Sequence, residues 1–214
     1  HGPTMGTRWS ASVDAETIVD LKALRQDLAF AVQQVDTQMS PWKPDSDLVR
    51  LNRASVDTWV DLPFEMLEVL SCAMDVQRLS AGAFDPCVGA LVDAWGFGAV
   101  RDAPDTEAIR EARQAAARTT HGCLELDRPA GRARKRAPLQ LDLCGIAKGY
   151  AVDGMTAVLQ QHGVRHALAA LDGELRAVGS QANGAPWAVA LECPEAGRRA
   201  VRGDRARRGG GHRL

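Results

Sequence analysis

Long apolar runs are absent from this 214-residue sequence, so no segment reads as a membrane-spanning helix. An excess of either charge is also absent. The formal net charge is -1, which gives no electrostatic preference for nucleic acid or acidic surfaces. The balance hides an asymmetry. Val201 to Leu214 carries five Arg and one Asp; without it 21 basic residues stand against 26 acidic ones, a mildly acidic body. Paired cysteines are lacking too. Cys72, Cys87, Cys123, Cys144 and Cys193 are odd in number and none has CxxC spacing, which argues against a zinc site or a disulfide framework. They read as buried or half-buried thiols. No signal peptide and no short-period repeat is visible, and the sequence opens on His1-Gly2-Pro3 rather than Met, as a mature or trimmed form that has lost an export signal would. What is present is ordinary globular material: 45% hydrophobic and 25% charged residues, enough for one sizeable core or two small ones.

Strand and helix periods alternate along the chain. Thr4 to Val13 reads as a strand. Leu21, Leu24, Leu28, Val32 and Val35 recur at helical spacing, which predicts a helix over Glu16 to Gln38, broken by Pro41 and Pro44. A short helix from Asp47 to Arg53 follows, with Asp45 and Asp47 as candidate caps, then a short strand over Trp59 to Leu62. Pro63 to Leu79, Val88 to Trp95 and Asp105 to Arg118 read as helices, the first two separated by a Ser80 to Pro86 loop. Leu124 to Leu126 and Leu139 to Leu143 are expected to pair as a hairpin around a basic, solvated Arg128 to Arg136 loop. A helix over Ile146 to Gln161 stops at Gly163, and strands are expected over His166 to Leu171, Glu174 to Val178 and Trp187 to Glu192. Asp172-Gly173 marks a tight turn. Mixed elements with late hairpins favour an α+β fold of antiparallel sheets packed with helices over a doubly wound parallel one. One domain over residues 1–200 is expected. The Arg/Gly-rich segment 201–214 has no apolar period and is expected to build no core element.

Three segments are candidates for chemistry. In Leu141 to Asp153 a strand delivers Asp142, a tight turn follows, and a helix begins with Lys148 one turn in. Helix-start amides favour anions and glycine permits close approach, which suits phosphate, although the Walker spacing is absent. A plain strand-to-helix junction is the alternative. In Gly82 to Gly89, Phe84 and Asp85 on a glycine-flanked loop suit a planar ligand with hydrogen-bond donors; alternatively Asp85 caps the next helix. In Met39 to Ser46, Trp42 on a proline-flanked loop is placed to stack on a ring, unless it is a core residue. His162 and His166 are four apart, but Gly163 interrupts their helix and both read as surface residues. His121 and His212 have no partner that the sequence names.

Taken in order, Met5-Gly6-Thr7, the Met39 to Asn52 stretch, Ala83-Phe84-Asp85-Pro86 through Trp95-Gly96-Phe97-Gly98, and Asp142 to Asp153 resemble ApbE-type FAD:protein FMN transferases. The resemblance runs from the first residues to about Pro194. It implies an ApbE-like, T-fold-related arrangement and transfer of FMN from FAD to a threonine of an acceptor protein, with Mg2+ required and AMP released. It carries FAD contacts onto Met5, Trp42, Ala83, Phe84, Asp85, Asp142 and Lys148, and a metal-ligating backbone carbonyl onto Gly145. It assigns no catalytic residue. Asp172 stands where the family usually has glycine, and Cys144 where it usually has a small residue such as serine. The implied acceptor is a subunit of a membrane redox complex. The implied location is periplasmic, or anchored to the inner membrane as a lipoprotein.

The family's further metal-ligating Asp and Thr have no counterpart after Ala200, which reads as an incomplete C-terminus with impaired flavinylation. A non-catalytic FAD-binding protein is the alternative. A nucleic-acid module built on Arg207-Arg208-Gly209-Gly210-Gly211 and the Arg132 to Arg136 loop is disfavoured by the acidic body.

Overall fold

The computed structural model describes residues 1–14, 19–100, 102–118, 122–191 and 201–205. In chain order the elements are β1 (Gly2–Thr4), β2 (Thr7–Val13), α1 (Leu21–Met39), α2 (Asp47–Arg53), β3 (Val60–Asp61), α3 (Phe64–Leu79), α4 (Gly89–Ala94), α5 (Thr106–Arg118), β4 (Leu124–Asp127), β5 (Arg132–Lys135), α6 (Cys144–Gln161), β6 (Ala167–Leu171), β7 (Glu174–Val178), β8 (Ala188–Leu191) and β9 (Val201–Arg205). The named strand pairs are all antiparallel, as the α+β expectation requires. No described helix is long and apolar enough to cross a membrane. The chain forms two compact units, one of residues 1–32 with 151–214, the other of residues 33–150.

The first unit is built on a sheet of order β1-β2-β6-β7. Its buried face follows from the pleat: Trp9 lies opposite Leu171, Ala11 opposite Ala169, and Val13 opposite Ala167. The expected single strand over Thr4 to Val13 is instead a hairpin. Met5 (φ 46°) and Gly6 (φ 71°) form its two-residue turn, the twist-matched geometry for which positive φ is needed at both positions. Met5 therefore holds a left-handed backbone that costs about 1 kcal/mol for a residue with a Cβ. The β6–β7 turn has Asp172 at φ 56°, a conformation at home in glycine and tolerated by aspartate. Thr7 Oγ1 donates to Asp172 Oδ1 (3.3 Å) and ties the two turns together. Gly163 (φ 77°) ends α6 as expected. His162 and His166 are half-buried and partnered rather than plain surface residues: His162 Nε2 lies 2.7 Å from Asp27 Oδ2, and His166 Nδ1 accepts from the Ser180 amide (2.9 Å). β8 pairs with β9, so Val201–Arg205 form a strand within the segment whose composition predicted no core element. Residues 206–214 and the expected helix start at Glu16 lie outside the described residues.

In the second unit α2 and α3 bury Leu48, Leu51, Met66, Leu67 and Leu70 beside a sheet of order β3-β5-β4. Ser46, not Asp45 or Asp47, caps α2, its Oγ accepting from the Val49 amide (3.1 Å). The segment expected to be a solvated basic loop is largely strand β5. Ala133 and Lys135 point inward, while Arg132 and Arg134 lie over the Trp59 ring at 4.6 and 4.4 Å. Those two arginines also pair with Asp127 and Glu125 across the hairpin. The two carboxylates offset the charge of these two arginines, and the ring packs against their guanidinium groups. Residues 139–143 are not the second hairpin strand. Gln140 makes only an isolated parallel bridge to Val88.

Candidate functional site

The site is assembled inside the second unit from four loops. The first follows α3. Ala81 (φ 51°) and Gly82 (φ 84°) turn the chain after Ser80, with Gly82 N bonded to Gln77 O (2.9 Å) and Ala81 N to Arg78 O (3.3 Å). This is the paired C-terminal cap in which glycine usually takes the place held here by Ala81. Ser80 Oγ then accepts from the Phe84 amide (3.0 Å), which delivers Ala83, Phe84 and Asp85 on a defined path. Asp85 does not cap α4. Its Oδ1 accepts from Gln77 Nε2 (2.6 Å) and from the Cys87 amide (2.9 Å), so a buried glutamine aims the carboxylate.

The second loop carries Asp142. Leu141 bonds through both its N–H (2.8 Å) and its C=O (2.9 Å) to the side-chain amide of Asn52, which substitutes for a neighbouring strand. Lys135 Nζ in turn donates to Asn52 O (2.6 Å) and Leu139 O (3.4 Å), and burial lowers the lysine's pKa. The Asp142 amide donates to Pro86 O (2.9 Å) and the Gly89 amide to Gln140 O (3.0 Å). The first two loops are thus stitched together by backbone bonds. The approach is so close that a Cβ on Gly89 would lie 2.9 Å from the carbonyl oxygens of Gln140 and Leu141.

Helix α6 starts at this junction. Asp142 Oδ1 accepts from the Cys144 amide (2.8 Å), a side-chain bond to an otherwise free helix-start donor. The Cys144 thiol is pushed up to about 12, by desolvation first and then by the Asp142 carboxylate, with the Lys148 ammonium opposing. Lys148 is therefore within electrostatic reach of the same turn. Phe84 Cε2 would lie 3.2 Å from a Cβ at Gly145, so the ring rests on the bare glycine.

The Trp42 loop and the segment around Gly98 bound, with Gln140 to Asp142, a cleft of about 350 Å³. Its wall includes Trp42, Asn52, Arg53, Gly98, Leu141 and Asp142, whereas Ala83, Phe84, Asp85, Gly145 and Lys148 do not line it. Trp42 is 56% exposed, not a core residue, on a loop held by Ser46 Oγ donating to Ser40 O (2.7 Å) and Arg53 donating to Pro44 O (3.1 Å). Asp93 is also in the wall, and its Oδ1 accepts from the Val100 amide (2.9 Å). An exposed ring beside a carboxylate and a guanidinium suits a planar, hydrogen-bonding ligand that carries negative charge.

Of the residues singled out in the sequence, Trp42, Ala83, Phe84, Asp85, Asp142, Gly145 and Lys148 belong to this unit, and Met5 belongs to the other. Asn52 and Gln77 emerge from the structure alone. Gln77 had a legible signal, a polar residue on the buried stripe of α3 that includes Met66, Leu70 and Ala73. Asn52 had none, because its partner lies 89 residues away.

The ApbE family model matches residues 5–207. This chain belongs to the ApbE family. It is 33% identical over 204 residues to the FAD:protein FMN transferase of Vibrio cholerae, covering 94% of this chain and 60% of that protein. It is also 33% identical to the one from Klebsiella pneumoniae, covering 90% of this chain and 56% of that protein. The solved flavin transferase ApbE from Vibrio cholerae superposes with a TM-score of 0.83 at 31% identity, covering 94% of this chain and 65% of that one. This ApbE-family chain therefore spans less than two thirds of the length of these relatives, and the family match runs past Pro194 into β9.

The metal that the family resemblance implies does not fit the described residues by themselves. Among them no three His, Cys, Asp or Glu side chains come together. Mg2+ requires near-octahedral oxygen coordination, usually with a carboxylate, and the Gly145 carbonyl supplies one oxygen.

Proposed function

We propose that this ApbE-family chain binds FAD in the second unit and belongs to a flavinyltransferase that moves the FMN half of FAD onto a threonine hydroxyl of an acceptor protein. The carrying observation is the stitching of the Ala83–Pro86 loop to Asp142 at the start of α6, through the Asp142 amide and Pro86 O (2.9 Å). That junction brings an aromatic ring, two carboxylates and a helix start into one compact unit. Asp85 and Asp142 are acceptors suited to the N–H and O–H donors of a dinucleotide's rings and sugars. Trp42 offers a stacking face, and Arg53 and Lys148 offset the charge of the diphosphate.

In the proposed transfer the threonine oxygen attacks the phosphorus on the FMN side of the diphosphate. A new P–O bond forms, the bridging P–O bond breaks, AMP leaves, and the threonine proton passes to a base. No side chain of this chain is assigned that role. The chain's own groups bind and orient the dinucleotide. Mg2+ dependence rests on the family resemblance, and no step is routed through the ion. The proposed acceptor is a threonine-bearing subunit of a membrane redox complex reached on the periplasmic side, again on the strength of the resemblance.

The test is AMP release from FAD by the purified chain with Mg2+ and a threonine-bearing acceptor, read together with FMN labelling of the acceptor. Release with labelling supports the transferase reading. Saturable FAD binding without release reduces the function of this chain to FAD binding. Absence of FAD binding overturns both.

A further inference from the structure

Cys87 and Cys123 take no part in the proposed transfer, yet they are brought together from positions 36 residues apart, with their sulfurs at 3.7 Å. Cys87 follows the Ala83–Pro86 loop and is half-buried; Cys123 is 5% exposed and immediately precedes β4. Both are free thiols. We propose that Cys87 and Cys123 form an oxidisable dithiol, a modification site that takes a disulfide-bearing oxidant and closes into an intramolecular disulfide.

A disulfide requires the sulfurs to approach to about 2.05 Å, a shift that a loop residue can make and that an element interior resists. The surroundings favour ionisation of one member of the pair. The Cys87 S–H donates to the Cys123 sulfur and lowers that thiol to about 7, while Cys87 is raised by the same bond, by burial and by the Asp85 carboxylate. A thiolate is thus present in the pair near neutral pH. The Cys123 thiolate attacks the oxidant's disulfide, forming a mixed disulfide and releasing one thiol. Cys87, 3.7 Å away, then loses its proton and attacks the Cys123 sulfur, releasing the second thiol. The protein loses two electrons and two protons, and the oxidant is reduced to two thiols.

Closure bears on the candidate site because of what Cys87 holds. Its amide donates to Asp85 Oδ1 (2.9 Å), and the residue before it accepts from the Asp142 amide. Drawing Cys87 toward β4 pulls on both aspartates. Resting on the proposed function, the disulfide form is expected to bind FAD about fivefold more weakly, the lower end of ordinary coupling between sites.

The experiment is incubation of the full chain with oxidised glutathione, followed by peptide mapping without reductant. The expected product is a cross-linked pair of peptides containing Cys87 and Cys123, lost on reduction and absent from Cys87→Ser and from Cys123→Ser. A glutathione adduct that persists on Cys87 or Cys123, or a bridge to Cys72, Cys144 or Cys193 instead, overturns the proposal. FAD titration of the reduced and oxidised forms follows. Equal affinities remove the coupling and leave the dithiol. If the reduced chain binds no FAD, the functional reading fails while the peptide map still decides the dithiol.

Discussion

At the scale of single residues, the site depends on backbone conformations and side-chain bonds that residue type alone only partly announces. Ala81 occupies a left-handed position at φ 51° that glycine adopts without cost. Ala81→Gly is therefore expected to stabilise the protein by up to about 1 kcal/mol in urea unfolding, less the extra chain entropy glycine brings to the unfolded state. Gly89 is the opposite case. Gly89→Ala places a Cβ 2.9 Å from two carbonyl oxygens, and the expected cost is about 2 kcal/mol with weaker FAD binding. Asn52→Ala strips both bonds from Leu141; a loss of about 2 kcal/mol is expected, with a further loss of FAD affinity because Asp142 follows directly. The thiols supply a pH dependence. Cys123 carries a pKa lowered to about 7 by the Cys87 S–H, so the rate of the pair's first thiol reaction should rise as pH increases through 7. An ordinary thiol rises near 8.5, and a rate profile with glutathione disulfide separates the two.

At the scale of elements, what the sequence makes legible is whatever is encoded locally. The Leu21 to Val35 spacing, the Asp47 to Arg53 signal and the Gly163 stop each fall within one element, and α1, α2 and α6 lie where those signals put them. Strand β5 is the counter-example. Its arginines alternate with Ala133 and Lys135, and only Trp59, Glu125 and Asp127 from other segments make that alternation a strand. Residues 139–143 look like a strand in composition but find their partner in an asparagine side chain rather than a hairpin. Lys135 connects these two misreadings, since its ammonium reaches the backbone of both Asn52 and Leu139. Lys135→Met keeps the stem but leaves two carbonyls without that donor, so a loss of about 1–2 kcal/mol is expected in thermal or urea unfolding. The Asp142 to Lys148 junction was readable as a helix start. That Asp142 bonds to the Cys144 amide, and that Phe84 covers Gly145, depended on the fold.

At the scale of the whole molecule, the described residues form two units, and seven of the eight residues singled out for ligand or metal contact belong to the one spanning 33–150. The proposed dinucleotide binding therefore rests on that unit. The measurement that tests this most directly is an FAD titration of the 214-residue chain, repeated with Asp142→Ala and Phe84→Ala. Saturable one-to-one binding, weakened about tenfold or more by each substitution while the unfolding midpoint stays close to that of the parent, is the predicted result. Binding that both substitutions leave unchanged, or no binding at all, contradicts the assignment.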